Sequence, residues 1–513
     1  MTPCWNCGTP FLPDNTPSPS TAFRELSHLV AGNEPPQDSE VLTLRKVIAA
    51  EQERIDALNT RIETLQSTLT RLVEERTARE ELIHQHATIL SPIRRIPAEI
   101  LCEIFYWLPC TRRLGSHTVD CPPWWAGNVC SYWRDSALGD PYLWNSIHLF
   151  HSQAFPVEKS VPASMLEAQH LRSANEPLQV TILSWGSDDV EHSWLNILLS
   201  QSNRWASLRI VCRPAFSLLG LLCPLKNQLT QLMAIELHNN IPDTDGFSVA
   251  PKLRHALLAH GACQHLSSIV PLPWHQITHY RGVYKAQYQL HILRAAADLV
   301  ECGLGFGGPD PTQLNAISGQ VAFLPRLRRL HLRLSRFLDH LEAPALTDLF
   351  LVGDVDPLPS FLHRSSCQLT KLVLTYSTAS ETLRETLKSI PGLTHLTLEP
   401  NFGGQQGTKE LFRAMQVSDG LSTICPNLTE FAYGDRRLGD IAAGLFAMVR
   451  SRLRLDSPCR LLFFRLWIHS PTPGTHQLPD DVAGQIDLLC EEGIDAAYIS
   501  HGDAAKWIGH RRP

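Results

Sequence analysis

The stretch LTKLVLTYSTASETLRETLKSIPGLTHLTL, residues 369–398, holds two copies of the pattern Leu-x-x-Leu-x-Leu, which begin at Leu369 and Leu393. Side chains alternate between the two faces of a β-strand, so the Leu-x-Leu part predicts a short strand whose two leucines face one core. The leucine before it is expected to pack in the turn that enters the strand. A helix or an irregular segment then returns the chain to the next copy.

The same pattern recurs along the C-terminal half of the chain. Further clean copies begin at Leu327 and Leu346 and a variant begins at Leu428, so successive copies start 19, 23, 24 and 35 residues apart. Weaker copies lie at Trp205/Leu208/Ile210, Leu232/Ile235/Leu237, Ile277/Tyr280 and Leu299/Cys302/Leu304. The spacing overlaps the period of leucine-rich repeats, roughly 20–29 residues. We therefore predict an α/β chain with a leucine-rich-repeat-like solenoid over 175–470, whose long strand face is a binding surface. The alternative is an ordinary α/β domain with leucine-rich strands.

A second periodicity, of seven residues, occupies residues 41–91. The first heptad position is apolar except at Arg76, and the second position is interrupted by Glu51, Arg79 and His86. The apolar heptad residues are Val41, Ile48, Ile55, Ile62, Leu69, Ile83 and Leu90 at the first position and Leu44, Leu58, Leu65 and Leu72 at the second. A heptad sustained this long without proline or glycine predicts a coiled-coil-like helix.

This helix is expected to begin at an N-cap of Asp38 or Ser39 and to end before Pro92. Its apolar seam predicts a partner. β-branched residues at the first heptad position and leucine at the second favour two strands if the helices run parallel, which would give a homodimer through residues 41–91. The alternative is a single amphipathic helix that folds back on its own domain.

Residues 1–40 are predicted to form an extended, flexible arm, because they are rich in proline, serine, threonine and asparagine. Cys4 and Cys7 have the spacing of a zinc knuckle, but structural zinc needs four ligands and no second pair follows. We therefore expect no metal and no cofactor. One route to zinc stays open: two chains of a parallel dimer could each supply Cys4 and Cys7 to a shared site.

Residues 92–150 contain a short, strongly apolar segment after Pro97, a residue that fits the first turn of a helix. Its apolar face consists of Ile100, Leu101, Ile104, Phe105 and Leu108. A second helical face is expected from Trp125, Val129, Trp133 and Ala137, which recur every four residues. The first face is too large for so small a unit to bury alone, and exposed apolar faces mark interfaces. The alternative is that the heptad helix and the repeats cover it.

The order of motifs in this segment resembles an F-box domain. An apolar-Pro start is followed by x-E-I-L, I-F, V-C-x-x-W-R and a late L-W. The matching residues are Ile96, Pro97, Glu99, Ile100, Leu101, Ile104, Phe105, Leu108, Val129, Cys130, Trp133, Arg134, Leu143 and Trp144. The loop 109–123 departs from the family, because it is longer than usual and replaces the common D-L step. The whole layout, with its N-terminal C-x-N-C-G and its I-L-S-P-I-R-R-I-P segment, resembles the F-box-like proteins expanded in mushroom-forming fungi.

This resemblance implies the substrate-recognition subunit of an SCF-type (Skp-cullin-F-box) ubiquitin ligase. The matching residues would bind the Skp-type adaptor and through it the cullin complex, and the repeats would hold an unidentified client protein. Receptors of this family act by positioning rather than by chemistry, so we expect no enzyme activity. The competing hypothesis is a non-ligase scaffold protein that dimerises through residues 41–91 and whose F-box-like unit, with its long loop, no longer binds the adaptor.

Composition limits the other function classes. A net charge of −6 and a pI near 6.4, without a clustered basic face, argue against nucleic-acid binding. No apolar run is long enough to span a membrane, and the start MTPCWNCGTP lacks the features of a secretory signal. The 14 cysteines are therefore expected to be reduced thiols in a cytoplasmic or nuclear protein. Motifs of hydrolases and nucleotide-binding loops are absent, so a transferase or hydrolase hidden in the repeats is not supported.

Residues 471–513 are expected to form a C-terminal cap of the repeats. A helix is predicted from Asp480 to Glu492, followed by a short strand in AAYIS.

Overall fold

The structure is a computed structural model. It describes residues 35–108, 123–152, 163–185, 193–212, 225–238, 245–259, 269–306, 311–376, 381–400, 405–417, 424–435, 438–453, 460–468 and 480–499, together with Leu29, Gly32 and Leu222. The chain divides into two compact units, Met1–Pro97 and Ala98–Pro513.

The first unit contains α1, Asp38–Ile89, a helix of 52 residues, so the prediction of a long N-terminal helix is confirmed. The N-cap is Gln37 rather than Asp38 or Ser39. The Glu40 carboxylate accepts a hydrogen bond of 2.7 Å from the Gln37 backbone N–H, and Asp38 lies in the first turn, where a negative charge complements the helix dipole. Helical geometry ends shortly before Pro92, as the steric restriction on residues before proline predicts.

The second unit supplies the remaining α-helices of the described residues. They are α2 (Ala98–Trp107), α3 (Ser131–Gly139), α4 (Ala163–Arg172), α5 (Ser193–Leu199), α6 (Ala286–Ala295), α7 (Pro357–Ser365), α8 (Glu381–Lys388), α9 (Gln405–Met415), α10 (Ala442–Leu453) and α11 (Asp480–Glu491). Short 3-10 helices lie at Pro92–Arg95, Ala126–Asn128, Pro141–Trp144, Ser202–Arg204, Trp274–Gln276, Pro311–Ile317, Ser335–His340 and Gly439–Ile441.

The strands follow the Leu-x-Leu pattern. They are β1 (Ser146–Ser152), β2 (Leu178–Trp185), β3 (Trp205–Cys212), β4 (Ala234–His238), β5 (His255–Ala259), β6 (His279–Tyr284), β7 (Glu301–Phe306), β8 (Ala322–Phe323), β9 (Arg329–Leu332), β10 (Leu341–Glu342), β11 (Asp348–Val352), β12 (Lys371–Tyr376), β13 (His395–Pro400), β14 (Glu430–Asp435), β15 (Phe463–Ile468) and β16 (Asp495–Tyr498). A parallel sheet of 14 strands contains all of them in chain order except β8 and β10, which pair separately. The expected α/β class with a helical N-terminus is therefore confirmed.

The register between neighbouring strands explains why leucine recurs at the same position of each copy. Leu330 pairs with Leu349, Leu349 with Leu372, and Leu372 with Leu396, so equivalent leucines form one continuous buried row across β9 to β13. The second leucine of each copy forms a parallel row two residues further along, on the same face. Each copy therefore contributes one strand and two leucine side chains to a single core, as the pattern predicts.

Seven of the described strands lie outside the copies recognised in the sequence: β1, β2, β5, β8, β10, β15 and β16. β1 follows the Leu143–Trp144 end of the F-box-like motif and is already the first strand of the sheet, so the sheet begins inside the segment 92–150. α11 ends at Glu491 and β16 follows it, close to the helix and strand predicted near the C-terminus.

Candidate functional site

The inner face of α2 packs against other residues of the segment 92–150. The helix starts directly after Pro97, which lacks a backbone N–H and is tolerated there because the first turn needs none. Leu101 and Phe105 are almost completely buried, and Cys102 is buried beside them. These three residues lie three or four positions apart or next to each other, so they share one face of the helix.

Phe105 is the centre of an aromatic cluster. Its ring centroid lies 6.1 Å from that of Trp125 and 5.0 Å from that of Trp133, and the two tryptophan rings are 6.2 Å apart. All three pairs are tilted or edge-on, which is the arrangement that aromatic quadrupoles favour. The cluster fixes α2 against the segment that returns to it.

The prediction of one continuous helical face from Trp125 to Ala137 is wrong. A 3-10 helix at Ala126–Asn128 ends before α3 begins, and Cys130 between them is extended, with φ −160° and ψ 171°. Gly127 and Asn128 explain the interruption, because both are poor helix formers. Trp133 therefore lies on α3, whereas Trp125 reaches Phe105 from the preceding turn.

Trp144 anchors the end of the unit. Its side chain is 2% exposed, and its indole N–H donates a hydrogen bond of 2.7 Å to the carbonyl oxygen of Ala137. Trp124 packs edge-on against it at 4.9 Å. The guanidinium of Arg172, on α4, lies 4.8 Å from the Trp124 ring and 4.5 Å from the Trp144 ring, a cation–π arrangement that ties the unit to the first helix of the sheet region.

The outer face of α2 is apolar and exposed, and no element of the described residues covers it. Ile100, Ile104, Trp107 and Leu108 are 54%, 39%, 72% and 36% exposed, respectively. Their spacing places them along one side of the helix, next to the buried face. We call these four residues the exposed stripe. Water contact with so much apolar side chain is unfavourable, and the stripe is therefore a surface on which a partner would gain free energy by excluding water.

The residues predicted to bind the adaptor divide by burial. Leu101, Phe105, Leu143 and Trp144 are buried and form the core of this segment. Ile96 and Trp133 are partly buried. The exposed members are Pro97, Glu99, Ile100, Ile104, Leu108, Val129, Cys130 and Arg134. The predicted apolar face thus separates into an inner half that folds the unit and an outer half that remains available.

Two polar members of this unit have structural partners. The Arg134 Nε–H donates to the carbonyl oxygen of Gly127 at 2.8 Å and so fixes α3 to the preceding turn. The Cys102 thiol donates to the carbonyl oxygen of Ser136 at 3.4 Å. Burial, together with the nearby Asp140 carboxylate, raises the pKa of Cys102 to about 11, so this thiol stays protonated at neutral pH and acts as a packing group.

Sequence periodicity missed the aromatic residues beside the stripe. Tyr106 and Tyr142 have ring centroids 5.2 Å apart, and the Tyr142 hydroxyl donates to that of Tyr106 at 3.5 Å, a contact that raises the pKa of Tyr142. The Trp107 indole N–H donates to Glu103 at 2.6 Å. The run Phe-Tyr-Trp in the helix was the available signal, because exposed tyrosine and tryptophan are enriched at the centres of protein interfaces.

A second surface lies on the face of the sheet opposite the leucine core. Residues at equivalent register positions of β7, β9, β11, β12, β13 and β14 form a row of five charged side chains and one histidine, which we call the charged row. Its members are Glu301, Arg329, Asp348, Lys371, His395 and Glu430. Parallel register aligns them, since each strand contributes the same position. The sequence pattern did not reveal this row, because irregular spacing between copies hid the register.

Acidic and basic side chains alternate from Glu301 to Lys371, and His395 then lies beside Glu430. Arg329 lies 3.2 Å from Glu301 and 4.0 Å from Asp348, and the His395 imidazole lies 3.0 Å from the Glu430 carboxylate. Burial alone would raise the pKa of Glu301, but the hydrogen bond from Arg281 and the charges of Arg281 and Arg329 lower it below its ordinary value. The row therefore presents mixed charge rather than a field of one sign.

An open depression of about 320 Å³ lies in this row. It is lined by Asp348, Thr370, Lys371, His395 and Glu430. The lining holds two carboxylates, an ammonium, an imidazole and a hydroxyl. Such a lining suits hydrogen bonding to polar or charged side chains of another protein.

An apolar patch adjoins the charged row. Phe350, Val373, Ala432 and Trp467 form a small cluster on the same side of the sheet, separate from the leucine core. The His331 ring stacks on Phe350 with centroids 3.9 Å apart. All four side chains are buried, so this cluster packs the sheet and offers little contact area to a partner.

Among the described residues, no group of three or more His, Cys, Asp or Glu side chains could hold a metal ion. Cys4 and Cys7 lie outside the described residues, as do most of the loop 109–123 and the start of the segment 471–513. The cysteines that the structure describes with side chains, Cys102, Cys130, Cys302, Cys367, Cys425 and Cys490, are free thiols.

Comparison with known proteins gives no family. No family model matches the chain, and no curated protein is significantly similar to it. Within the described part of the chain, every helix is too short or too polar to cross a membrane.

Proposed function

We propose that the protein is the substrate-recognition subunit of an SCF-type ubiquitin ligase. In this proposal residues 92–150 form an F-box that binds a Skp-type adaptor. The sheet over 175–470 belongs to a leucine-rich-repeat-like solenoid that holds a client protein. The proposal rests on the motif order of the segment and on the surfaces described above.

One observation carries the proposal: α2 leaves half of its apolar face uncovered. The segment already has an aromatic core around Phe105, and Ile100 and Trp107 of the exposed stripe remain more than half exposed outside it. Burying a side chain such as Ile100 or Ile104 completely contributes about 1.5–3 kcal/mol. A helix that holds this apolar surface toward solvent is suited to bind an apolar groove of a partner.

Glu99, Val129 and Cys130 extend the proposed contact beyond the stripe. Val129 is 55% exposed and lies in the turn before α3, and Cys130 follows it. Tyr106 joins the contact as an aromatic anchor beside Trp107 of the stripe. The buried members of the motif, by contrast, act by holding α2 and α3 in position.

The charged row is the proposed client surface. Its mixed charges would give specificity through complementary pairing with charged side chains of the client. The protein itself would carry out no chemistry. It would raise the effective concentration of a client lysine near the ligase-bound ubiquitin, which is catalysis by proximity. Cytoplasm and nucleus, where such ligases work, are the proposed compartments.

Binding of the full-length chain to a purified Skp-type adaptor, measured by calorimetry, tests the proposal. The double variant Ile100→Asp/Ile104→Asp should weaken binding by about 100-fold or more, because two charges would enter an apolar contact. A matched control, Leu171→Asp/Leu488→Asp, changes two exposed leucines on α4 and α11 and should bind like the wild type. Absence of wild-type binding at micromolar concentrations, or equal loss in both variants, would contradict the proposal.

A scaffold protein dimerised through α1 is the second candidate. The observation in its favour is that none of the 52 residues of α1 is buried, although its heptad positions carry isoleucine and leucine. A chain that forms dimers but binds no adaptor in the calorimetric experiment would support the scaffold. Both properties together would describe a dimeric receptor.

A further inference from the structure

The seam of α1 is exposed along most of the helix. Ile48, Ile55, Ile62, Leu69 and Ile83 are 65%, 49%, 49%, 62% and 67% exposed, respectively. The second heptad position adds Leu58, Leu65 and Leu72, which are 53%, 50% and 50% exposed. A helix of this length with an uncovered apolar seam requires a partner helix.

We propose that α1 pairs with α1 of a second copy of the chain in antiparallel orientation. In an antiparallel coiled coil each first-position residue lies opposite a second-position residue of the partner. One register pairs residues whose numbers add to 127, such as Ile55 with Leu72 and Ile62 with Leu65. The first and last residues of the helix, Asp38 and Ile89, form such a pair, so this register overlaps α1 along its whole length.

The polar interruptions of the seam support this register. Arg76 breaks the first heptad position and Glu51 breaks the second. In the antiparallel register these two residues lie opposite each other, and the two-fold axis makes the pair occur twice. The two interruptions thus form an ion pair between the helices, and this pair occurs twice. It fixes the register at a small cost in apolar contact.

Residues that flank the seam are complementary in the same register. In an antiparallel pair, each of the two heptad positions that flank the seam lies beside the same heptad position of the partner helix. Arg45 then lies beside Glu80 of the second copy, and Arg54 lies beside Glu75. Neither flank of the antiparallel pair places like charges together, and both of its fully charged pairs join opposite charges, so charge complementarity favours this arrangement.

Contacts within the helix do not prevent this pairing. Arg54 lies 2.6 Å from Glu51, and Arg76 lies 3.5 Å from Glu80. These side chains are 49–71% exposed. Exposed pairs of this kind contribute little to stability and are free to extend into a network with a second helix.

The parallel arrangement, in contrast, places like charges together. Equivalent residues meet in a parallel pair, so Glu51 would face Glu51, Arg76 would face Arg76 and Arg79 would face Arg79. On the flank, Glu75 would lie beside Glu80 of the partner. Like charges at these positions are unfavourable. In the antiparallel register Arg79 instead lies opposite Ile48 near the end of the pair, where its aliphatic stem covers the isoleucine and its charge reaches water.

Antiparallel pairing has a consequence for the assembly. A helix of 52 residues is about 78 Å long at 1.5 Å per residue, so the two C-terminal ends of α1 would lie about that far apart. Each end leads directly into residues 92–108 of its own chain. The N-terminal ends of the two helices also lie at opposite ends of the pair. The inference does not depend on what α2 binds.

A charge exchange in the full-length chain tests the orientation. Arg76→Glu alone and Glu51→Arg alone should each raise the dimer dissociation constant about tenfold or more, because two ion pairs become like-charge pairs. The double variant Arg76→Glu/Glu51→Arg should restore dimerisation, since the pairs are re-formed with exchanged charges. In a parallel dimer none of the three variants changes a like-charge pair into an opposite one, so rescue would not occur. Molar mass from light scattering, 57.4 kDa for one chain and twice that for two, is the readout.

Photo-cross-linking gives an independent measurement. With benzoylphenylalanine at position 55 of the full-length chain, the antiparallel pair predicts cross-links to residues 69–76 of the partner. Cross-links to residues 51–58 would mean a parallel pair and would overturn the orientation alone. A monomer at concentrations of tens of micromolar would overturn both this inference and the scaffold candidate, while the adaptor calorimetry would stand unaffected.

Discussion

Ile104 and Phe105 are neighbours in sequence with opposite surroundings. Phe105 is 1% exposed and touches two tryptophans, whereas Ile104 is 39% exposed on the adjacent side of the same helix. Sequence periodicity assigns both residues to one apolar face, because they lie within a single arc of α2. The position of Trp125 and Trp133, set by contacts distant in sequence, decides which part of that arc is covered.

This difference predicts separate effects of two substitutions. Phe105→Ala should lower the free energy of unfolding of the unit around α2 by about 3–5 kcal/mol, because it leaves a cavity between two indole rings. Ile104→Ala should change it by less than about 1 kcal/mol. Denaturant unfolding followed by tryptophan fluorescence measures both. Equal destabilisation by the two variants would mean that the exposed stripe belongs to the core.

Gly434 illustrates a residue whose size is fixed by a neighbouring strand. It pairs with Trp467 in register, and the indole lies over its Cα so closely that an added Cβ would overlap the ring. Trp467 is completely buried in the apolar patch beside the charged row. The tryptophan thus uses the space that the missing side chain leaves.

Gly434→Ala should therefore destabilise the sheet region by about 1–3 kcal/mol, because the indole must move. Gly444→Ala provides a matched control: it lies on α10 with nothing within 4 Å of an added Cβ, and alanine favours a helix over glycine by about 0.5–1 kcal/mol. Thermal unfolding of the two variants should shift in opposite directions. A shift in the same direction would contradict the packing of Trp467.

At the scale of elements, the buried Arg452 and the partly buried Arg364 connect successive helices and turns. The guanidinium of Arg452, on α10, is completely buried and donates to the carbonyl oxygens of Met415, Ile424 and Cys425 at 2.7–3.2 Å. Arg364, on α7, donates in the same way to two carbonyl oxygens near β10, those of Leu338 and Leu341. Such bonds satisfy carbonyl groups at helix and turn ends that the repeat pattern leaves without partners.

Arg452→Met should lower the free energy of unfolding by about 3 kcal/mol or more, because several buried carbonyl oxygens lose their donors. Arg413→Met, at an exposed position of the neighbouring helix α9, should change it by less than about 0.5 kcal/mol. Chemical denaturation of the full chain, followed by circular dichroism, compares them. Similar stability of the two variants would show that the carbonyl groups find other partners.

Elements with a strong period were predictable from sequence. The heptad predicts α1, and the copies that begin at Leu327, Leu346, Leu369 and Leu393 each correspond to one strand. β5, with the sequence HALLA, was missed because alanine replaces a core leucine at Ala256, and β1 was missed as part of the sheet because it directly follows the F-box-like motif. The charged row depends on register between strands, which no single copy encodes.

At the scale of the whole molecule, the proposed receptor would bind the adaptor and the client protein through separate surfaces. The exposed stripe of α2 belongs to a small helical unit with its own aromatic core. The charged row belongs to the sheet, which builds its stability from the repeated leucine rows. Substitutions in one surface should therefore leave binding at the other unchanged, since they share no side chains.

Hydrogen exchange of the full-length chain, with and without a Skp-type adaptor, measures the central claim most directly. The account predicts that the adaptor slows amide exchange in peptides covering residues 98–108 and 129–134, while peptides covering β11 to β14 exchange as before. A complex that forms without any slowing in residues 98–108 would contradict the claim that the exposed stripe of α2 is the adaptor-binding surface.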